Sequence, residues 1–167
     1  GMAGLQTNFA VFTHARFGLD AAHNAILFSF LGLMAALTQG VLLRKLAPRM
    51  GEAKLAIYGA VVFGLGFIVI AESSALWMLY VAVALTALGF GLAGPALSGL
   101  VSRRAMAREQ GVLLGTAQSV SSLTRVMGPV WAGLLFDKIG PAAPYWAGFG
   151  WTVLALWWSV QATRESK

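Results

Sequence analysis

The chain has 167 residues, 58% of them hydrophobic and 11% charged, with a formal net charge of +6 and no cysteine. A soluble domain carries about 25% charged residues, so this composition, with a mean hydropathy of +0.74, excludes the soluble classes and points to a membrane protein. Lack of cysteine excludes a disulfide framework and a thiolate metal site, and basic residues confined to short clusters between apolar runs exclude a nucleic-acid-binding face.

A helix needs about 20 mostly apolar residues to span a bilayer. Six apolar segments are read as spans: 1–13, 21–43, 55–71, 76–101, 111–136 and 142–162. The expected fold is therefore an all-α membrane protein of six transmembrane helices. The separators are short and rich in charge, Gly, Pro and Ser, as loops are. The first span is too short, since about 13 residues of helix cover only about 20 Å of a hydrocarbon core of about 30 Å. It reads as the end of a longer helix, and the chain as a piece of a larger protein.

The charges orient the spans. Arg44, Lys45, Arg49 and Lys54 follow the second span, Arg103, Arg104 and Arg108 the fourth, and Arg164 and Lys167 the sixth. These nine of the twelve basic residues fall on one side if the spans alternate. Only Arg16 and Lys138 fall on the other, and Arg125 lies within a span. The positive-inside rule places the basic side, with both termini, in the cytoplasm. Trp77, Tyr80, Tyr145 and Trp146 then sit at the outer interface and Trp157 and Trp158 near the inner one, as anchoring belt residues.

Polar residues within spans are candidates for function. The first span holds Gln6, Thr7 and Asn8, and the second Ser29, Thr38 and Gln39. Amides at membrane depth serve either a binding site or interhelical hydrogen bonds. His14 and His23 flank one outer loop and read as solvated residues, too few for a metal site. The fourth span ends in GFGLAGPALSGL, where Gly89, Gly91, Gly94 and Pro95 crowd together. Such an interruption marks either a transporter gate or a close helix crossing.

The fifth span is the most informative. Gln118, Ser121, Ser122 and Arg125 recur at i, i+3, i+4 and i+7, which places them on one helical face. The stripe either lines a water-accessible cavity or forms a fixed structural network. A charge at the bilayer centre costs roughly 2.5–3.5 kcal/mol, so intramembrane charges are functional by default. Every acidic residue lies in or beside a loop, so the partner of Arg125 is backbone, an anionic substrate, or a carboxylate outside this chain. Gly111 and Gly115 form a small-xxx-small pair for close helix approach. Gly128-Pro129 predicts a kink, either a rocking joint or a packing bend. No phosphate-binding loop and no paired catalytic side chains are present, so the sequence suggests neither an enzyme nor an ATP-driven pump, and no cofactor.

Four stretches resemble the major facilitator superfamily, in its tetracycline-resistance-like and drug:proton antiporter branch. The loop LAPRMGEAK resembles the second copy of the family's signature loop, with Arg49, Gly51 and Lys54 in place and Pro48 where an acidic residue is usual. GFGLAGPALSGLVSR and EQGVLLGTAQSVSSLTRVMGPVWAGLLFD resemble its tenth and eleventh helices, and HARFGLDAAHNA its loop between helices seven and eight. The resemblance covers the whole chain, residues 1–167, as a C-terminal transmembrane half-domain. It implies half of a twelve-helix fold, made of two inverted three-helix repeats, with the N-terminal six-helix half absent.

It further implies a cavity lined by Gln6, Asn8, Phe30, Gln39, Gln118, Ser122 and Arg125, with Arg49, Gly51, Gly94, Pro95, Gly111, Gly115, Gly128 and Pro129 in gating or structural roles. The implied function is secondary transport by alternating access: proton-coupled efflux of small amphipathic molecules across a bacterial inner membrane. The implied partners are the lipid bilayer, the N-terminal half, a small-molecule substrate and protons. A facilitator or metabolite transporter, a membrane scaffold or sensor, and a dimerising six-helix protein are the alternatives.

Overall fold

The computed structural model describes residues 2–104 and 110–165. These form α1 (Met2–Phe17), α2 (Ala21–Leu37), a π-helical turn (Thr38–Leu42), α3 (Leu43–Met50), α4 (Glu52–Glu72), α5 (Leu76–Arg104), α6 (Gln110–Lys138) and α7 (Ala143–Glu165). In lipid a backbone must satisfy its own hydrogen bonds, which is why the apolar runs are helical throughout. Three helical stretches among the described residues, Ala21–Met50, Glu52–Ala71 and Leu76–Leu100, are long and apolar enough to cross a membrane.

Helices run past the apolar segments that mark them. The second rod continues through Arg44, Lys45 and Pro48 to Met50, where the sequence suggested a loop from residue 44. Charges at the membrane edge reach water along their stems and do not end a helix. Gly51 ends it, with φ of 76°, a conformation that suits glycine. Within the rod, the Leu43 N–H bonds to the Thr38 carbonyl across the widened turn, and the Thr38 hydroxyl donates to the Met34 carbonyl at 2.7 Å. Conversely, α5 runs unbroken through Pro95 and α6 through Pro129, so the interruption expected at GFGLAGP is not found; the irregular turn lies at Thr38–Leu42 instead.

The helices close a ring: α2 packs on α5, α5 on α4, α4 on α7, α7 on α6, α6 on α1, and α1 lightly on α2. Its filling joins Phe9 and Phe12 of α1, Leu27 and Leu31 of α2, Phe67 and Ile70 of α4, Leu79 and Val83 of α5, and Tyr145 of α7. A second cluster of Leu55, Ala56, Leu92 and Ala96 sits toward the basic end, covered by Leu46, Ala47 and Met50.

Tyr145 corrects the sequence reading. It was expected in an interfacial belt, yet it is 2% exposed. It occupies the first turn of α7 and turns inward, edge-on to Phe12 at 5.0 Å. Trp77, Trp146, Trp157 and Trp158 are exposed, as belt residues are. Arg16 also has a specific place: its guanidinium donates to the Ala71 carbonyl at 3.2 Å, at the negative end of the α4 dipole.

Candidate functional site

The polar face of α6 is the first candidate. Among the described residues α6 contributes none to the buried core, and every residue from Gly111 to Val120 is exposed. Gln118, Ser122 and Arg125 are all exposed on this helix. Thr116, Ser119 and Thr124 spend their hydroxyls on carbonyls one turn back, at 2.8, 2.9 and 2.8 Å. Among the described residues no carboxylate ion-pairs with Arg125. A methyl group on Gly111 or Gly115 would meet nothing within 4 Å, so among the described residues their small-residue face packs on no helix. The arrangement is a helix held by its far end, presenting one cation and several polar groups away from its own bundle.

The second candidate is a cavity of about 700 Å³ between α4, α5, α6 and α7, with Asn8 of α1 at its wall. Phe63 and Phe67, Phe90 and Leu97, Met127 and Trp131, and Tyr145 and Trp151 are among the residues that line it. It exists because α5 and α6 touch only lightly while α4 holds both α5 and α7. Consecutive helical residues point about 100° apart, so Thr124 lines this cavity while its neighbour Arg125 does not.

The expected site residues therefore divide. Asn8, buried, Gly94 and Gly128 meet at the cavity. Gln118, Ser122 and Arg125 stand on the exposed face, and Gln39 is exposed on the π-helical turn. Phe30 is half-buried, edge-on to Tyr80 at 5.4 Å. The side chain of Gln6 lies outside the described residues. Arg49 and Pro95 are exposed, Pro129 is half-buried and Gly51 forms the turn before α4. Sequence reasoning missed Thr124, Trp131, Tyr145, Trp151 and Thr152 as cavity residues. The stripe Thr124, Gly128, Trp131 and Leu135 at i, i+4, i+7 and i+11 was available as a signal for a second face of α6.

Comparison with known proteins agrees with this architecture. The whole chain, residues 1–167, matches the sequence profile of the Major Facilitator Superfamily. It is 34% identical over 137 residues to the class D tetracycline resistance protein of Salmonella ordonez, covering 82% of this chain and 34% of that protein. It is 32% identical over 138 residues to multidrug resistance protein 1 of Bacillus subtilis (strain 168), covering 82% of this chain and 35% of that protein. Its fold superimposes on the crystal structure of the human organic anion transporter MFSD10 (TETRAN) with a TM-score of 0.85 at 24% identity, covering 94% of this chain and 37% of that one. The chain thus spans about a third of the length of these relatives. On the profile match over its full length and the shared six-helix fold, the chain belongs to the major facilitator superfamily of transporters.

Proposed function

We propose that this chain is the C-terminal half of a secondary active transporter that exports small amphipathic molecules in exchange for protons, by alternating access. The reading rests above all on α6, a helix with a polar stripe and a cation that its own bundle leaves exposed. A surface of that kind is stable in a membrane when it lines a water-filled cavity against a second protein body. Gln118, Ser122 and Arg125 form one wall of that cavity, joined by Gln39 and by the half-buried Phe30. The opposite wall belongs to an N-terminal six-helix half, which also supplies the proton-carrying carboxylate. The basic end faces the cytoplasm of a bacterial inner membrane, with both termini there.

The relatives named for tetracycline and multidrug resistance support an amphipathic cargo. The test is transport by the full-length protein in proteoliposomes, with tetracycline and a lipophilic dye as cargo. An imposed pH gradient drives accumulation, and a protonophore abolishes it. Flux that persists after the gradient collapses identifies a facilitator and overturns the antiport reading. A protein that inserts correctly and moves neither cargo overturns the export reading.

A further inference from the structure

We propose that the outer face of α4, with the basic turn that precedes it, holds an anionic phospholipid of the leaflet at the basic end of the bundle. Lys54, Tyr58, Val61 and Leu65 recur at i, i+4, i+7 and i+11 and are all exposed, so they form one stripe along α4. On the opposite side of the helix Leu55, Ala56 and Gly59 are buried. From Gly66 to Ala71 no residue of α4 is exposed, so the stripe ends at Leu65. The run from Lys54 to Leu65 is about 16 Å of helix, against about 15 Å for the hydrocarbon of one leaflet. A cation at headgroup level, a tyrosine below it and aliphatic side chains toward the midplane match one phospholipid in length and in polarity.

The turn supplies the charge. Arg49 is exposed two residues before Gly51, and Lys54 is exposed three residues after it. Among the described residues no carboxylate ion-pairs with either. Glu52 lies between them in sequence but rests against α5, where a methyl group on Gly99 would stand 2.9 Å from its carboxylate. Each basic residue at a membrane surface is worth about fivefold in affinity for anionic lipid. A soluble acidic peptide would leave the apolar stripe unused. In the ring α6, α1 and α2 are consecutive, and α4 stands across from α1. A partner half seated on α6 and α2 therefore leaves the outer face of α4 to lipid. Only this last step rests on the transport reading.

The full-length protein in detergent micelles is incubated with equimolar phosphatidylglycerol and phosphatidylcholine of identical acyl chains. Retained lipid is counted by native mass spectrometry. One phosphatidylglycerol is expected to bind first, with a preference of at least about tenfold. Arg49→Gln combined with Lys54→Gln lowers that preference at least about fivefold, whereas Arg49→Lys with Lys54→Arg keeps it. Lys138→Gln, at the other end of the bundle, leaves it unchanged. Glycerol phosphate, the headgroup without its chains, does not displace the lipid. Equal retention of the two lipids by the parent protein, as an ordinary lipid annulus gives, overturns the proposal. So does a preference that survives the double glutamine variant, or displacement by glycerol phosphate, which marks a site for free anions. Cargo plays no part in the measurement, so a protein that exports nothing still gives a decisive result.

Discussion

Gly59 of α4 and Gly89 of α5 meet backbone to backbone: a methyl group on Gly59 would stand 2.9 Å from the Gly89 carbonyl oxygen and 2.7 Å from the Ala93 nitrogen. A methyl on Gly89 would overlap the Phe63 backbone. This seam is the most extensive helix contact in the ring and sets the position of both walls of the cavity. Membrane helices associate through such close approach, since lipid removes the hydrophobic drive.

Gly89→Ala is therefore expected to destabilise the bundle by about 1–3 kcal/mol, the usual cost of overpacking. Gly94→Ala and Gly111→Ala, whose methyls meet nothing within 4 Å, are neutral or slightly stabilising because alanine favours helix over glycine. Thermal unfolding in detergent micelles checks all three. Equal losses at the three positions would show that helix propensity, not the seam, governs the response.

Thr13 and Asn24 pin α1 to α2 with a buried hydrogen bond of 2.7 Å from the Thr13 hydroxyl to the Asn24 carboxamide oxygen. The Asn24 amide donates in turn to the Asp20 carbonyl at 3.1 Å. These helices touch only lightly elsewhere, so the bond carries much of their registration. Thr13→Val keeps the volume and removes the donor, and is expected to cost about 1 kcal/mol. A double-mutant cycle with Asn24→Leu measures it, and strictly additive losses would show that the two residues do not communicate.

Asp20 caps α2. Its carboxylate accepts from the His23 backbone N–H at 2.9 Å and lies 2.8 Å from the His23 ring nitrogen. The backbone hydrogen bond from His23, then the side-chain one, hold its pKa below the ordinary 3.8. A lowered folded pKa stabilises the fold above the ordinary value, and this is lost as pH falls through the lower folded one. Protection of the amides at the start of α2, taken relative to the intrinsic exchange rate at each pH, is expected to fall as pH drops below about 4. Asp20→Asn keeps a capping oxygen without the charge and should remove that pH dependence. Protection that falls equally in Asp20→Asn would assign the effect to another group.

Much of this architecture is legible in the residues, and what is not has a physical cause. Apolar runs separated by charged turns show the order of the helices, because lipid punishes any other backbone. The spacing of Gln118, Ser122 and Arg125 shows one face of α6, because helical periodicity is a property of the chain alone. Hydropathy, by contrast, is silent on where a helix ends once it leaves the lipid, so the continuation through Arg44 and Lys45 to Met50 is invisible to it. The turn at Thr38–Leu42 depends on a shift of hydrogen-bond partner that leaves composition unchanged. The inward turn of Tyr145 and the apolar cavity depend on which helices are neighbours in the ring. A tyrosine at the head of a span looks the same in sequence whether it faces lipid headgroups or Phe12.

Arg125→Ala and Gln118→Ala in the full-length protein are expected to lower transport by at least about tenfold, a loss of about 1.4 kcal/mol of differential binding, while insertion and helical content stay normal. Arg125→Lys separates charge from geometry, since lysine keeps the cation but not the planar fork. Normal flux in both alanine variants would remove these residues from the transport path. Failure of Arg125→Ala to fold would make the arginine a structural anchor.

The most direct measurement is cysteine accessibility along α6 in the full-length protein in its membrane. These 167 residues contain no cysteine, so once any cysteine elsewhere in the full-length protein is replaced, each label reports on one introduced thiol. Gln118→Cys, Ser122→Cys and Arg125→Cys are expected to react with a hydrophilic thiol reagent at least about tenfold faster than Val120→Cys and Leu123→Cys, as a water-filled cavity on one face requires. Cargo should protect the first three. Equal reactivity around the helix, or resistance at all of Gln118, Ser122 and Arg125, would contradict the assignment of this face as a wall of the transport cavity.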